Sequence, residues 1–129
     1  MEEVQEQGCV AIVNLACNDA NCVLIAAKHG IEAILSAMTA HNNVSKVQEW
    51  GCTAIANLAF NNDANCELVA AKDGIEVIVS AMTAHSSVSE VQDQGCVALG
   101  ILARNDANRV SIAAKHGIEA IVSAMTAHS

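Results

Sequence analysis

Val47-Gln48-Glu49-Trp50-Gly51-Cys52 decides the fold, because the chain writes this segment three times. Val4-Gln5-Glu6-Gln7-Gly8-Cys9 precedes it by 43 residues, and Val91-Gln92-Asp93-Gln94-Gly95-Cys96 follows it by 44. The second unit has Asn61-Asn62 where the first has only Asn18, which accounts for the extra residue. A fixed period of this length marks a helical solenoid, in which each unit buries its apolar face against its neighbours. The 129 residues are expected to form a single repeat domain of three units, at about 4–46, 47–90 and 91–129.

Each unit reads as three helical segments. In the middle unit the first runs from about Val47 to Ala59, with Val47, Gly51, Ala54, Ile55, Leu58 and Ala59 as its apolar or small stripe. Asn61, Asn62 and Asp63 break it and offer an N-cap to the next segment, about Ala64 to Lys72. Gly74 is expected to close that segment in the left-handed conformation. Ile75, Ile78, Val79 and Met82 then mark one face of a third segment, about Ile75 to His85. Gly30 and Gly117 repeat the role of Gly74, and Ile118, Ile121, Val122 and Met125 repeat the stripe.

Composition narrows the function. Apolar residues make up 53% of the chain, yet it has one Phe, one Trp and no Tyr, so the core is built from small and aliphatic side chains. Proline is absent, which favours uninterrupted helices. The net charge of −8 argues against nucleic acid, whose phosphates need clustered Lys and Arg, and against an anionic membrane surface. No apolar run reaches the ~18 residues of a membrane span, and the acidic start has no signal-peptide pattern. A cytoplasmic or nuclear, reducing compartment is expected.

The six cysteines read as buried free thiols serving as small core hydrophobes. Cys9, Cys52 and Cys96 recur at one position, where stacked layers stand about 8–10 Å apart, too far for a disulfide that needs Cα atoms within about 7 Å. Cys17 and Cys22 flank one loop and are the pair closest to redox spacing. His41, His85 and His128 each follow Met-Thr-Ala at a helix end, where the macrodipole favours them. No C-x-x-C or H-x-x-x-H pair offers metal-ligand spacing, and no metal or cofactor is expected.

The ordered trio of segments resembles the armadillo repeat. The resemblance rests on Asn108-Arg109-Val110-Ser111-Ile112-Ala113, Gly117-Ile118-Glu119-Ala120-Ile121-Val122 and Ala54-Ile55-Ala56-Asn57-Leu58-Ala59, and it covers essentially the whole chain. It implies an all-α, right-handed α-solenoid of three-helix repeats. On the family's division the chain starts at a third helix and ends at a second helix. Both ends are then uncapped internal surfaces, and the Ile118, Ile121, Val122 and Met125 face has no helix to cover it.

Two functions follow as expectations. The first is a non-enzymatic scaffold that self-associates through its ends into a dimer or a larger homo-oligomer. The second is a module that binds an extended peptide in the concave groove of the third helices. The resemblance assigns the peptide-holding Asn to Asn14 and Asn57, while Ile101 breaks that ladder in the third unit. The family's Trp four residues earlier is replaced by Val10, Thr53 and Val97. Trp50 is placed on the groove seven residues before Asn57, level with Gln7 and Gln94. Glu6, Glu49 and Asp93 recur along the same helices and would favour a basic partner. They are also read as first-turn acids that the helix dipole stabilises. Catalysis finds no Gly-rich phosphate loop and no ordered His and acid partner for the Ser/Thr-rich loops. Units this close in sequence are what a recent duplication or a designed array gives.

Overall fold

The computed structural model describes all 129 residues as nine helices and no strand. They are α1 (Glu2–Leu15), α2 (Asp19–Ala27), α3 (Gly30–Ala40), α4 (Ser45–Ala59), α5 (Asp63–Ala71), α6 (Gly74–Ala84), α7 (Ser89–Leu102), α8 (Asp106–Ala114) and α9 (Gly117–Ala127). Three long helices, α1, α4 and α7, stack side by side with α4 in the middle. α3, α6 and α9 form a second stacked row. The short α2, α5 and α8 join the rows. The result is an all-helical, repeat-like fold with one continuous core of Ile, Leu, Val, Met, Ala and Cys.

The short helices begin where the Asn-rich breaks place them. Asn18, Asn62 and Asn105 are the N-caps, each accepting a hydrogen bond from the backbone N–H three residues on at 3.0 Å. Each cap satisfies one of the amides that a helix start leaves without a partner.

The corner after each short helix differs from the expectation. None of the glycines has positive φ. The left-handed residue is the one before: His29 (φ 64°), Asp73 (φ 64°) and His116 (φ 69°). His and Asp are among the side chains that tolerate this region. Gly30, Gly74 and Gly117 instead open the next helix, and what they supply is room. A Cβ on Gly30 would lie against the Ile25 side chain and 2.9 Å from the Ile25 carbonyl oxygen. Val69 and Ile112 crowd Gly74 and Gly117 in the same way. The close approach lets α2 and α3 meet at 69°.

The long helices start two residues earlier than their periodicity suggests. Glu6, Glu49 and Asp93 therefore stand in the second turn, and the first-turn acids are Glu2, Glu3 and Glu90. The dipole account of the three recurring acids is weakened accordingly. No single helix is long and apolar enough to cross a membrane.

Candidate interaction surfaces

Buried amides tie each layer to the one before it. Asn65 Nδ2 donates to the Leu58 carbonyl at 2.8 Å in its own unit and to the Cys22 carbonyl at 3.4 Å in the preceding one. Asn108 repeats this with the Leu102 and Cys66 carbonyls, both at 3.1 Å. Asn21, at the same position in the first unit, makes only the local bond, to the Leu15 carbonyl at 3.0 Å. Gln48 and Gln92 are buried as well. Each donates to two carbonyls of the preceding turn, those of Met38 and His41 or of Met82 and His85. All four fully buried polar side chains thus serve the backbone of their neighbours.

The histidines at the helix ends also reach across. His85 Nε2 lies 2.7 Å from the Asn42 carbonyl and His128 Nε2 lies 2.8 Å from the Ser86 carbonyl, each on the loop of the preceding unit. They join layers in addition to capping a helix. Lys115 Nζ meets Glu76 Oε2 at 2.8 Å between units two and three. The Arg104 guanidinium lies 5.1 Å from the Phe60 ring centroid across the same boundary.

These contacts give every layer two different faces. The face toward the start of the chain, the head face, carries Val4, Gly8 and Leu15 on α1. The equivalents of Leu15, Leu58 and Leu102, are fully buried, whereas Leu15 is 52% exposed. The face toward the end, the tail face, carries Ile118, Val122 and Met125 on α9. Met38 and Met82 are 1% and 2% exposed, whereas Met125 is 67% exposed. Ile118 and Val122 are likewise exposed, and Ile121 is half-buried. The four residues named from the sequence as an end interface therefore share one helix, and three of them are open to solvent.

The methionines fit a specific socket. A Cβ on Gly51 would lie 2.6 Å from Met38 Cγ and Sδ, and one on Gly95 would lie 2.6 Å from Met82 Sδ. Any Cβ there would force the thioether chain to shift. At Gly8 a Cβ would meet nothing within 4 Å. Gly8 is an open socket at the head, and Met125 is an open plug at the tail.

The groove residues lie on the long helices. Gln7 and Asn14 are exposed on α1, Trp50, Thr53 and Asn57 are half-buried on α4, and Gln94 is half-buried on α7. Trp50 packs against the core from the surface. Two of the three α4 groups are already engaged. Asn57 Nδ2 donates to the Val13 carbonyl at 3.3 Å, and Thr53 Oγ1 donates to the Glu49 carbonyl at 2.9 Å. Asn57 is thus a tie between α4 and α1. Glu49 is paired with Lys46 at 3.2 Å.

All six cysteines are free thiols. Burial raises the Cys9 thiol to about 11 and the Cys52 thiol to about 12. Cys22 and Cys66 are buried too, with thiols pushed up by desolvation first. Two positions differ from a uniform buried set: Cys96 is half-buried because it lies on the tail face of α7, and Cys17 is exposed. No group of three or more His, Cys, Asp or Glu side chains converges in a metal-holding arrangement.

The amide ladder of Asn21, Asn65 and Asn108 and the Gly–Met sockets lie outside what the sequence patterns above identify. Their signal was present as strict recurrence. Asn holds that position in every unit, while the next residue changes from Cys22 and Cys66 to Arg109. No known family pattern, curated protein or solved structure matches this chain.

Proposed function

We propose that the chain is a right-handed α-solenoid of armadillo type, acting as a non-enzymatic scaffold that self-associates through its two end faces. The observation that carries this reading is the contrast along one repeated position: Met38 and Met82 buried, Met125 67% exposed. Ile118 and Val122 at the tail, and Val4 and Leu15 at the head, are exposed beside it.

Magnitudes set the strength of the association. Full burial of such a side chain contributes about 1.5–3 kcal/mol. The five are each 52–67% exposed, so covering what remains contributes roughly 4–9 kcal/mol together, in the lower part of the ~4–15 kcal/mol lost in fixing two partners. Association is therefore weak and depends on concentration.

Three further features support the reading. The four most buried polar side chains, Gln48, Asn65, Gln92 and Asn108, are amides bonded to backbone carbonyls, and the two carboxylates with a buried oxygen, Glu32 and Glu76, are each paired through the other, with His29 and Lys115. Two of the three α4 groups that would hold a peptide are already used, Asn57 on Val13 and Thr53 on Glu49. That weighs against capture of a basic peptide in the groove. The six unpaired thiols, four of them buried, suit a reducing compartment.

The test replaces Val122 and Met125 by Gln together. Sedimentation velocity should show the self-association of the parent chain lost, with helicity by circular dichroism unchanged. Association that persists undiminished in a helical variant would defeat the proposal.

A further inference from the structure

We infer that the second copy docks head to tail, its α1–α2 layer covering α9 and α7 of the first, with Met125 seated over the partner copy's Gly8. This register rests on the self-association reading above and goes beyond it by fixing polarity and contacts. Each vacancy at one end is answered at the other.

The internal layers are the template. Met38 fills the space over Gly51, and Met82 fills that over Gly95, 13 residues further on in both cases. Met125 has no such glycine ahead of it in the structure, and Gly8 has no methionine behind it. Asn65 and Asn108 each donate to a carbonyl of the preceding layer, Cys22 and then Cys66. The next carbonyl in that series is Arg109, and the next amide is Asn21 of the second copy, whose Nδ2 uses one N–H on Leu15 and lacks the inter-layer bond. Charge follows the same order. Glu76 meets Lys115 at 2.8 Å across one boundary. At the other internal boundary Glu32 pairs with His29 of its own unit, and the corresponding exposed residues at the ends are Glu119, which also lies 3.1 Å from His116 Nδ1, and Lys28.

Plug, amide and charge are all asymmetric. Two heads present two empty sockets and two lysines to one another. Two tails present two methionine plugs and two glutamates. Only head on tail satisfies each group. The contact is heterologous, and repeating it extends the stack.

Two single variants test this. Gly8→Phe fills the head socket at a site open enough for the monomer to fold, and Met125→Lys removes the tail plug at an exposed site. Each variant retains one intact end. Each alone should lose association and run at one chain mass, and an equimolar mixture should form a pair at twice that mass and stop there. Either variant associating alone as strongly as the parent chain, or a mixture that stays at one chain mass, would overturn the head-to-tail register. A parent chain that never associates at all would overturn the self-association reading itself. Circular dichroism of both variants confirms that each is folded.

Discussion

Met82 Sδ would stand 2.6 Å from a Cβ on Gly95, so the methionine of one unit and the glycine of the next form a fitted pair. The same pair recurs as Met38 and Gly51. It divides otherwise equivalent glycines into two kinds. Gly51→Ala and Gly95→Ala overfill the socket and should destabilise the fold by about 1–3 kcal/mol. Gly8→Ala meets open space and gains the helix preference of Ala over Gly, up to about 1 kcal/mol. Urea unfolding at low protein concentration should order the three variants accordingly.

Asn65→Ala should be costlier than Asn21→Ala. The first leaves the buried Leu58 carbonyl and the inter-unit Cys22 carbonyl without their donor, a loss of about 1–3 kcal/mol. Asn21 makes one bond at a solvent-facing end, so its loss should cost less. Chemical denaturation of both variants measures the difference directly.

Thiol chemistry should separate the cysteines. Cys17 is exposed and should react fastest with a disulfide reagent near pH 8. Cys9 and Cys52, held up at about 11 and about 12, should react only after unfolding. The same shifts predict alkaline instability. Both thiols titrate from 9.0 when unburied, so the unfolded chain loses these protons first as pH rises. Their effect on stability is constant below about pH 9, and stability falls as pH climbs from there toward about 12. Unfolding midpoints from pH 7 to 10.5 check the sign.

On the proposed end-to-end association, Trp50→Ala should leave the solution mass unchanged, since Trp50 lies on α4, between α1 and α7. Asn57→Ala should weaken the fold through the lost tie to Val13 while also leaving the association intact in whatever fraction remains folded. Sedimentation and melting of both variants separate groove from ends.

Recurrence made the helices and their order legible from the sequence, since apolar stripes at helical spacing survive small substitutions. Asn62 was readable as a cap because Asn before Asp and an apolar run has one local use. Gly74 misled because glycine has two uses, left-handed backbone and close approach. In Asp73-Gly74 the first residue takes the left-handed turn and the second takes the crowding by Val69. Asn65 gives no such signal, because a polar residue inside a short helix reads as solvent-facing. Its value comes from Cys22, 43 residues away, which no local pattern reports. The exposure of Ile118, Val122 and Met125 is legible, because the unit pattern states which neighbour each stripe requires. The open space at Gly8 has no local sequence signal, since it is defined by Met38 and Met82 lying on the equivalent Gly51 and Gly95.

The most direct measurement is the solution mass of the parent chain, by light scattering on a sizing column over a wide concentration range with reductant present. The account predicts a mass that rises with concentration beyond the 13.4 kDa of one chain. A mass of 13.4 kDa at every concentration would contradict it.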